Sequence, residues 1–428
     1  MDKEVIFINM PKPFLKQPDA QAPLGILYLA SIMENIGVSV QVKNYAGYTD
    51  ADALTDLPRA NMYGITVVSM EIPRANMFAR LIKIKYPDAK VILGGPGIFS
   101  LEALDWIEGS IDGVCAGEGE RIVGKIYKDC LKGEVERFYR GEKVGNLDTI
   151  PFPARHLMEG KQGGNIFANN KQYMDGESAV ITSSRGCNHR CSFCSAPSLN
   201  PKIRFRSEDN VVSEIAHVMA EYGIKQFRFS DDSFTASKRR VLSLCEKLGP
   251  LNIAWRISCR VKPLDEDMLR AMKDAGCKEL SFGIESFDDD VLNGLNKGTT
   301  GFENAEALHL ADKVGFDVRV LFMIRTPFQT RNTVEKNQWW IRRVPFTVIA
   351  CTSYVPIPGS DVWNNPDKYG VEILSRDLND YNFYMFGPEG KHDLKPLIKL
   401  VDRPLDEFMA ESEDFRNWLI NIQNVNRG

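Results

Sequence analysis

Short apolar runs alternate with longer amphipathic stretches along most of the chain. That rhythm of strand then helix, with short connections, predicts parallel sheets covered by helices. In the first third, residues 4–9 read as a buried strand and 24–37 as a helix stopped by a glycine. Strands follow at 38–44 and 62–69, then a helix at 73–86 that opens on proline. Two short strands, 90–93 and 113–116, each run into a glycine-rich turn, Gly94-Gly-Pro-Gly97 and Gly117-Glu-Gly-Glu120. A doubly wound, Rossmann-like sheet is expected over residues 1–145. Its ligands would bind at the carboxyl ends of the strands. The glycines there either admit a ligand to the backbone or simply make tight turns.

Residues 146–170, rich in glycine, proline and asparagine, read as a linker. An apolar strand at 178–182 restarts the alternation. Further strands are expected at 225–230, 253–259, 278–283, 317–324 and 347–354. Helices are expected at about 208–222, 237–248, 266–275, 303–314 and 331–343. Six βα units over 171–365 predict a partial, open (β/α)6 barrel with its active site at the carboxyl ends of its strands. The remainder, 366–428, predicts a short α-rich cap with an amphipathic helix at about 404–422 and aromatic residues at Tyr381, Phe383, Tyr384 and Phe386.

Composition refines this α/β reading. Hydrophobic residues make up 43% and charged residues 26% of the 428 residues, as in soluble globular proteins. The first residues read as a charged pair before a strand, not as a signal peptide, and no apolar run approaches membrane-helix length. A cytoplasmic protein is expected. The net charge of −4 argues against binding an extended nucleic acid. The basic stretch Lys202-Ile-Arg-Phe-Arg206 is either a phosphate contact or a solvated strand edge.

Nine cysteines are present. Six of them, Cys115, Cys130, Cys245, Cys259, Cys277 and Cys351, fall in apolar or helical patterns and read as small buried hydrophobes. The other three, Cys187, Cys191 and Cys194, form C-x3-C-x2-C on a loop that opens with Gly186. A closed structural zinc site needs four ligands. Three thiolates suit an iron–sulfur cube with one iron left open to a small molecule. Polar residues gather at the ends of the barrel strands: Ser230-Asp-Asp-Ser-Phe234, Ser258-Cys-Arg260 and Gly283-Ile-Glu-Ser286.

The cysteine spacing, with Phe193 before the last thiol, resembles the cluster loop of radical S-adenosylmethionine (SAM) enzymes. The stretch Gly283–Gly298 and the turn Val355-Pro-Ile-Pro-Gly-Ser360 resemble later segments of that family. Pro23-Leu-Gly-Ile-Leu-Tyr-Leu-Ala30 and the two glycine turns resemble the cobalamin-binding domain that precedes the barrel in one of its branches. The resemblance implies a 4Fe-4S cluster on Cys187, Cys191 and Cys194. It implies SAM contacts from Phe193, Asp231, Ser258, Arg260 and Glu285, with Asp231 near the methionine amino group. It implies cobalamin contacts from Leu24, Gly25, Ser69, Met70, Glu71, Gly94, Gly95, Gly117, Glu118 and Gly119. No histidine occupies the loop after the first strand, so cobalt would lack a protein imidazole below it. Where the family has Gly-x-Pro-Gly-Glu-Thr, this chain has Arg325-Thr-Pro-Phe-Gln-Thr330. Arg325 would then pair with an anionic substrate group, or the turn has been repacked by a neighbour.

The implied reaction is reductive cleavage of SAM to a 5′-deoxyadenosyl radical, followed by methylation of an unactivated carbon from methylcobalamin. The alternatives are a radical isomerase, cyclase or oxidoreductase, and more distantly a non-catalytic metal-binding protein. A small-molecule, peptide or nucleotide substrate and a reductant such as flavodoxin or ferredoxin are the expected partners. His189, inside the cysteine loop, is expected to face solvent or to support the ligands.

Overall fold

Each apolar run forms a strand, and each amphipathic stretch packs its apolar face on a sheet. The computed structural model describes residues 3–13, 18, 21–158, 177–381 and 396–425. It divides into two units, Met1–Gly164 and Asn165–Gly428.

The first unit runs β1 (Lys3–Asn9), α1 (Leu24–Asn35), β2 (Val40–Asn44), α2 (Asp50–Asp56), β3 (Ala60–Thr66), α3 (Ile72–Lys85), β4 (Lys90–Gly94), β5 (Gly113–Gly117), α4 (Val123–Lys132) and β6 (Phe138–Gly141). All six strands are parallel, in the order β2-β1-β3-β4-β5-β6. The chain leaves β1 toward β2 on one side and returns to β3 on the other. The crevice between β1 and β3 is therefore the switch point at which such sheets bind ligands. Val5, Ile6, Phe7 and Ile8 are all buried, as expected of a strand covered on both faces.

Three features depart from the sequence reading here. The strand expected at 62–69 ends at Thr66, and Ser69–Glu71 forms a 3-10 turn. Helices α2 and α4 and strand β6 were not anticipated. The described part of the expected linker packs on this unit. Ala154 N–H donates to Leu27 O at 3.0 Å, Met158 bridges to Val42, and Ile150 and Ala154 are buried. Prolines 151 and 153 hold that stretch extended, which suits a strap as well as a linker. Residues 159–170 of the expected linker lie outside the described residues.

The second unit opens with β7 (Ser178–Ile181), β8 (Ser184–Arg185), α5 (Ala196–Leu199), β9 (Arg204–Phe205) and α6 (Glu208–Tyr222). It continues with β10 (Gln226–Phe229), α7 (Lys238–Leu248), β11 (Ala254–Cys259), α8 (Glu266–Asp274), β12 (Cys277–Glu285), α9 (Asp289–Gly294) and α10 (Gly301–Val314). Then come β13 (Asp317–Ile324), α11 (Arg331–Ile341), β14 (Val348–Ser353), α12 (Asp361–Asn364), β15 (Val371–Ile373), β16 (Ile398–Leu400) and α13 (Leu405–Val425). The large sheet is parallel and strictly sequential, β7-β10-β11-β12-β13-β14. This is the expected six-unit barrel, with β7 and β14 as its edges.

Side-chain alternation separates its two faces. Phe227, Phe229, Trp255, Ile257, Leu280, Phe282, Val318, Val320 and Phe322 point outward into the core formed with the helices. Side-chain caps start several helices: Ser207 on α6, Ser237 on α7, Asp265 on α8 and Thr300 on α10. All six scattered cysteines are buried thiols. Beyond the barrel, α13 matches the expected helix. The antiparallel pair β15–β16 was not anticipated, because its strands are three residues each and far apart in sequence. Tyr381 is buried against Trp363, whereas Phe383, Tyr384 and Phe386 lie outside the described residues. Among the described residues no helix is long and apolar enough to cross a membrane.

Two glycines in this unit share a left-handed backbone but differ in surroundings. A Cβ at Gly276 (φ +94°) would meet Ile253 O at 2.1 Å, whereas one at Gly315 (φ +90°) would meet only the end of Lys273, at 3.9 Å. Gly315→Ala is expected to cost about 1–2 kcal/mol from backbone strain alone. Gly276→Ala adds a collision with fixed backbone, so its thermal transition should fall well below that of Gly315→Ala. Equal transition temperatures would contradict the packing described at the start of β12.

Candidate active site

The cysteine loop leaves β7 and is fixed by its neighbours at several points. Gly186 (φ +96°) begins it, and a Cβ there would meet Lys202 O at 2.4 Å. Gly186 N–H donates to Asp232 at 3.0 Å, and Cys187 N–H donates to Asn200 O at 3.1 Å. Ser192 N–H donates to Leu295 O at 2.9 Å, and Ser192 O accepts from Val362 N–H at 3.1 Å. The expected terminal turn closes on the same loop: Ser198 Oγ donates to Gly359 O at 2.6 Å, and Ser360 caps α12.

All three thiols are free. Ala196 N–H donates to Cys194 Sγ at 3.4 Å, and the Arg260 guanidinium donates to Cys191 Sγ at 3.2 Å. Burial pushes the Cys194 thiol up to about 11 and also raises Cys187, so both hold their protons until a metal displaces them. Among the described residues no three His, Cys, Asp or Glu side chains close on a point as a single-ion site would require. An iron–sulfur cube places each cysteine on a different iron, and so needs wider spacing. Three free thiols on one pinned loop, with donors aimed at two of the sulfurs, fit that group. Half-buried His189 is held below its ordinary value by burial, then by Arg260 and Lys297, so it adds no charge at neutral pH.

The expected SAM contacts divide into two sets. Asp231 does not face an open site. It accepts from Ser183 N–H at 2.7 Å and from the hydroxyls of Ser183 and Ser184, the latter at 2.7 Å. It is buried, and both oxygens are used in joining the end of β10 to the start of the cysteine loop. In this structure its carboxylate braces the entry to the cysteine loop. Phe193 packs beside the cluster of Val291, Leu295, Tyr354 and Val362, with the Lys297 ammonium 5.8 Å from its ring centre.

Ser258, Arg260 and Glu285 stand at the carboxyl ends of β11 and β12. Ser258 is half-buried, and Arg260 is clamped by donating also to Lys297 O. Glu285, with φ +65° at a bulge in β12, pairs with Lys297 Nζ at 2.9 Å. A Cβ at Gly283 would crowd both members of this pair, which explains the glycine there. Lys297 was missed by the sequence reading. Its only signal was a lysine beside Gly298 inside the quoted stretch, and lysines before glycines are common on surfaces. This one is 4% exposed.

At the substituted turn the backbone keeps a glycine geometry without the glycines. Arg325 has φ +60° and Phe328 φ +64°, at the two positions where the resembling family carries glycine. Such residues cost on the order of 1–3 kcal/mol each and persist where the surroundings hold them. Arg325 N–H donates to Gln329, and its guanidinium reaches Ser353 at 3.5 Å and Glu413 of α13 at 3.8 Å. The Phe328 ring lies over Gly294 and edge-on to Tyr369. Arg325 thus lies within ion-pair distance of α13, and its Nε is buried without a hydrogen bond in the structure.

In the first unit the expected cobalamin residues do surround the carboxyl ends of the strands, but most serve the fold. Glu71 accepts from Val68 N–H at 2.9 Å and pairs with Lys12, so it offers no free carboxylate. Ser69 and Met70 are buried in the turn after β3. Gly95 (φ +100°) and Gly117 (φ +90°) are required by close backbone approaches, to Val67 O and Gly141 O. Gly94 has ordinary packing, and Gly119 lies against Leu29. Buried Glu118 accepts from Val144 N–H at 2.6 Å. Leu24 is buried at the start of α1. Gly25 beside it is exposed, with nothing within 4 Å of where its Cβ would be. It is the one member of the set that leaves room at the surface.

The family model described as the Radical SAM superfamily matches residues 181–337. The chain is 30% identical over 369 residues to an uncharacterized methyltransferase of Pyrococcus horikoshii, covering 80% of this chain and 77% of that protein. It is 26% identical over 429 residues to an anaerobic magnesium-protoporphyrin IX monomethyl ester cyclase of Rubrivivax gelatinosus, covering 90% and 73%. Its fold is similar to that of TsrM from Kitasatospora setae, a radical SAM methyltransferase solved with cobalamin and its cluster bound. The TM-score is 0.65 at 18% identity, over 84% of this chain and 74% of that one. With the cysteine loop standing at the carboxyl ends of an open six-strand barrel, and with sequence identity running through both units, the chain belongs to the radical SAM superfamily, in its methyltransferase-like branch that carries a Rossmann-like domain before the barrel.

Proposed function

We propose that this radical SAM enzyme is a cobalamin-dependent methyltransferase acting on an unactivated carbon of a small molecule. The observation that carries the reading is the Cys187, Cys191 and Cys194 loop, with Arg260 against Cys191 Sγ. A cluster held by these thiols would supply the electron for reductive cleavage of SAM, and a bound cobalamin would supply the methyl group. The chain's own residues hold, orient and shield. The three thiolates hold the cluster, and Asp231 and Asp232 fix the loop that presents them. Arg260 donates to a sulfur, which favours the added electron. Ser258, Arg260 and the Glu285–Lys297 pair offer donors and an acceptor for the amino-acid end of SAM. The crevice between β1 and β3, beside Gly25, is the proposed cobalamin site. The loop after β1 carries no histidine, so a bound cobalamin would take no imidazole ligand from that loop. A small electron-carrying protein such as a flavodoxin or ferredoxin would supply the reducing electron, and the cytoplasm would be the setting.

Anaerobic reconstitution with SAM, reductant and cobalamin tests this reading. With the correct substrate, S-adenosylhomocysteine and 5′-deoxyadenosine are expected in comparable amounts. Production of 5′-deoxyadenosine alone would reject methylation and favour the cyclase or isomerase class. Cys191→Ala should lose the cluster's visible absorbance and reduce SAM cleavage to background, while Cys130→Ala keeps both. Arg260→Gln should retain the absorbance but slow cleavage by roughly 10–100-fold. Gly25→Leu should be tolerated by α1, where leucine is the better helix former by up to about 0.8 kcal/mol. It should nevertheless abolish the cobalamin absorbance of the purified protein. If the variant retains full cobalamin, the site lies elsewhere.

A further inference from the structure

The inner face of the barrel carries an unbalanced layer of charge that neither the cysteine loop nor the strand ends use. Arg228 on β10, Arg256 on β11, Glu279 on β12 and Arg319 on β13 occupy the face opposite the outward-packed residues. Arg228 and Arg256 stand directly opposite one another on adjacent parallel strands, as do Arg256 and Glu279. One carboxylate serves two of the arginines: Glu279 Oε1 accepts from Arg256 at 2.5 Å and from Arg319 at 3.0 Å.

Arg228 has no such partner. None of the described residues accepts a hydrogen bond from it, and its Nε is buried without one. Burial, and after it Arg319, pull its guanidinium below the ordinary value. Arg256 also leaves a buried Nε unsatisfied and is 7% exposed. Asp317, at the foot of β13, directs Oδ1 to Thr347 at 3.4 Å. Even with Asp317 counted, three cations face two anions among the described residues of this face. Arg228 itself is half-buried and feels Glu279 only at longer range, and desolvated charges of this kind cluster at functional sites.

The space beside this layer is open. In closed barrels large branched side chains fill the interior. Here the next inward positions are Ser258, Ser281, Gly283 and Ala350. Ser258, Leu321, Met323 and Ala350 are only half-buried, and Thr352 is exposed, although most lie on inner strands. The lumen therefore admits solvent between the arginines and the strand ends. Arg256, on β11, and Arg260, just past its end, are four residues apart, about 13 Å along an extended chain. A molecule reaching from the cluster end to the arginines spans that length.

We propose that the barrel lumen contains an oxyanion site built from Arg228, Arg256 and Arg319, which takes the carboxylate or phosphate group of the substrate. Its hydrogen-bonding chemistry is that of guanidinium forks, which bind either group through paired donors. The anion site stands on the charge layer alone. Its assignment to the substrate rests on the proposed radical reaction at the strand ends.

The test uses full-length, cluster-loaded protein and two probes, inorganic phosphate and acetate, at constant ionic strength set with chloride. Wild type should show a saturable rise in thermal transition with at least one probe, and the stronger probe names the group. Arg228→Met should weaken that response by about tenfold or more. Arg239→Gln, on the exposed side of α7, should respond as wild type does. Without either probe, Arg228→Met should unfold at a higher temperature than wild type, because it removes a half-buried cation that has no hydrogen-bonded partner among the described residues. A purely structural arginine would give the opposite sign. The proposal is overturned if no probe gives a saturable rise, if Arg228→Met and wild type respond alike, or if Arg228→Met is the less stable protein without anion. Substrate-free SAM cleavage by the same variant needs only the cysteine loop and the strand ends. It reports on the reaction assignment separately.

Discussion

The barrel's chemistry depends on one buried carboxylate. Asp231 receives a backbone N–H and two hydroxyls from Ser183 and Ser184, and so ties the second strand to the exit of the first. It adds to the pairing of β8 with β9 in setting the direction in which the chain enters Cys187. Hydrogen bonds to a charged group are each worth about 1.5–3 kcal/mol, and losing the acceptor would leave buried donors unpaired. The carboxyl is nonetheless raised, because burial outweighs its donors. Beyond this junction the loop is held by the Asp232 contact to Gly186 and the approach of Arg260 to Cys191.

The architecture was legible because its signals are local. Strand and helix periods, capping residues such as Ser207 and Thr300, and the cysteine spacing all lie within a few residues of one another. Strand β6 and the pair β15–β16 were missed because short strands owe their pairing to distant partners, not to pattern. The site residues were legible as a set but not as roles. Asp231 and Glu71 look like ligand contacts in sequence, since an acidic residue after a strand can face either a ligand or a neighbouring backbone. Only the positions of Ser183 and Lys12 decide between these. Lys297 was hidden for the converse reason: a lysine is normally a surface residue, and its burial depends on Glu285.

The turn at Arg325 and Phe328 shows how a backbone shape outlasts the residues suited to it. Both keep a left-handed conformation that glycine would adopt without strain. Gly294, under the Phe328 ring, and Glu413, facing the Arg325 guanidinium, hold them there. The strain is thus offset by packing against α9 and α13, and the rim of the barrel is coupled to the C-terminal helix.

The contacts that fix the cysteine loop come from far along the chain. Gly186 is held from Asp232, Cys191 from Arg260, and Ser192 from both Leu295 and Val362. These residues follow, in turn, the second, third, fourth and sixth strands of a sheet laid down in sequence order. The loop is translated early and completed last. The last of these contacts arrives only with the sixth strand, so the geometry of the three thiols is a property of the finished sheet and not of the cysteine spacing alone.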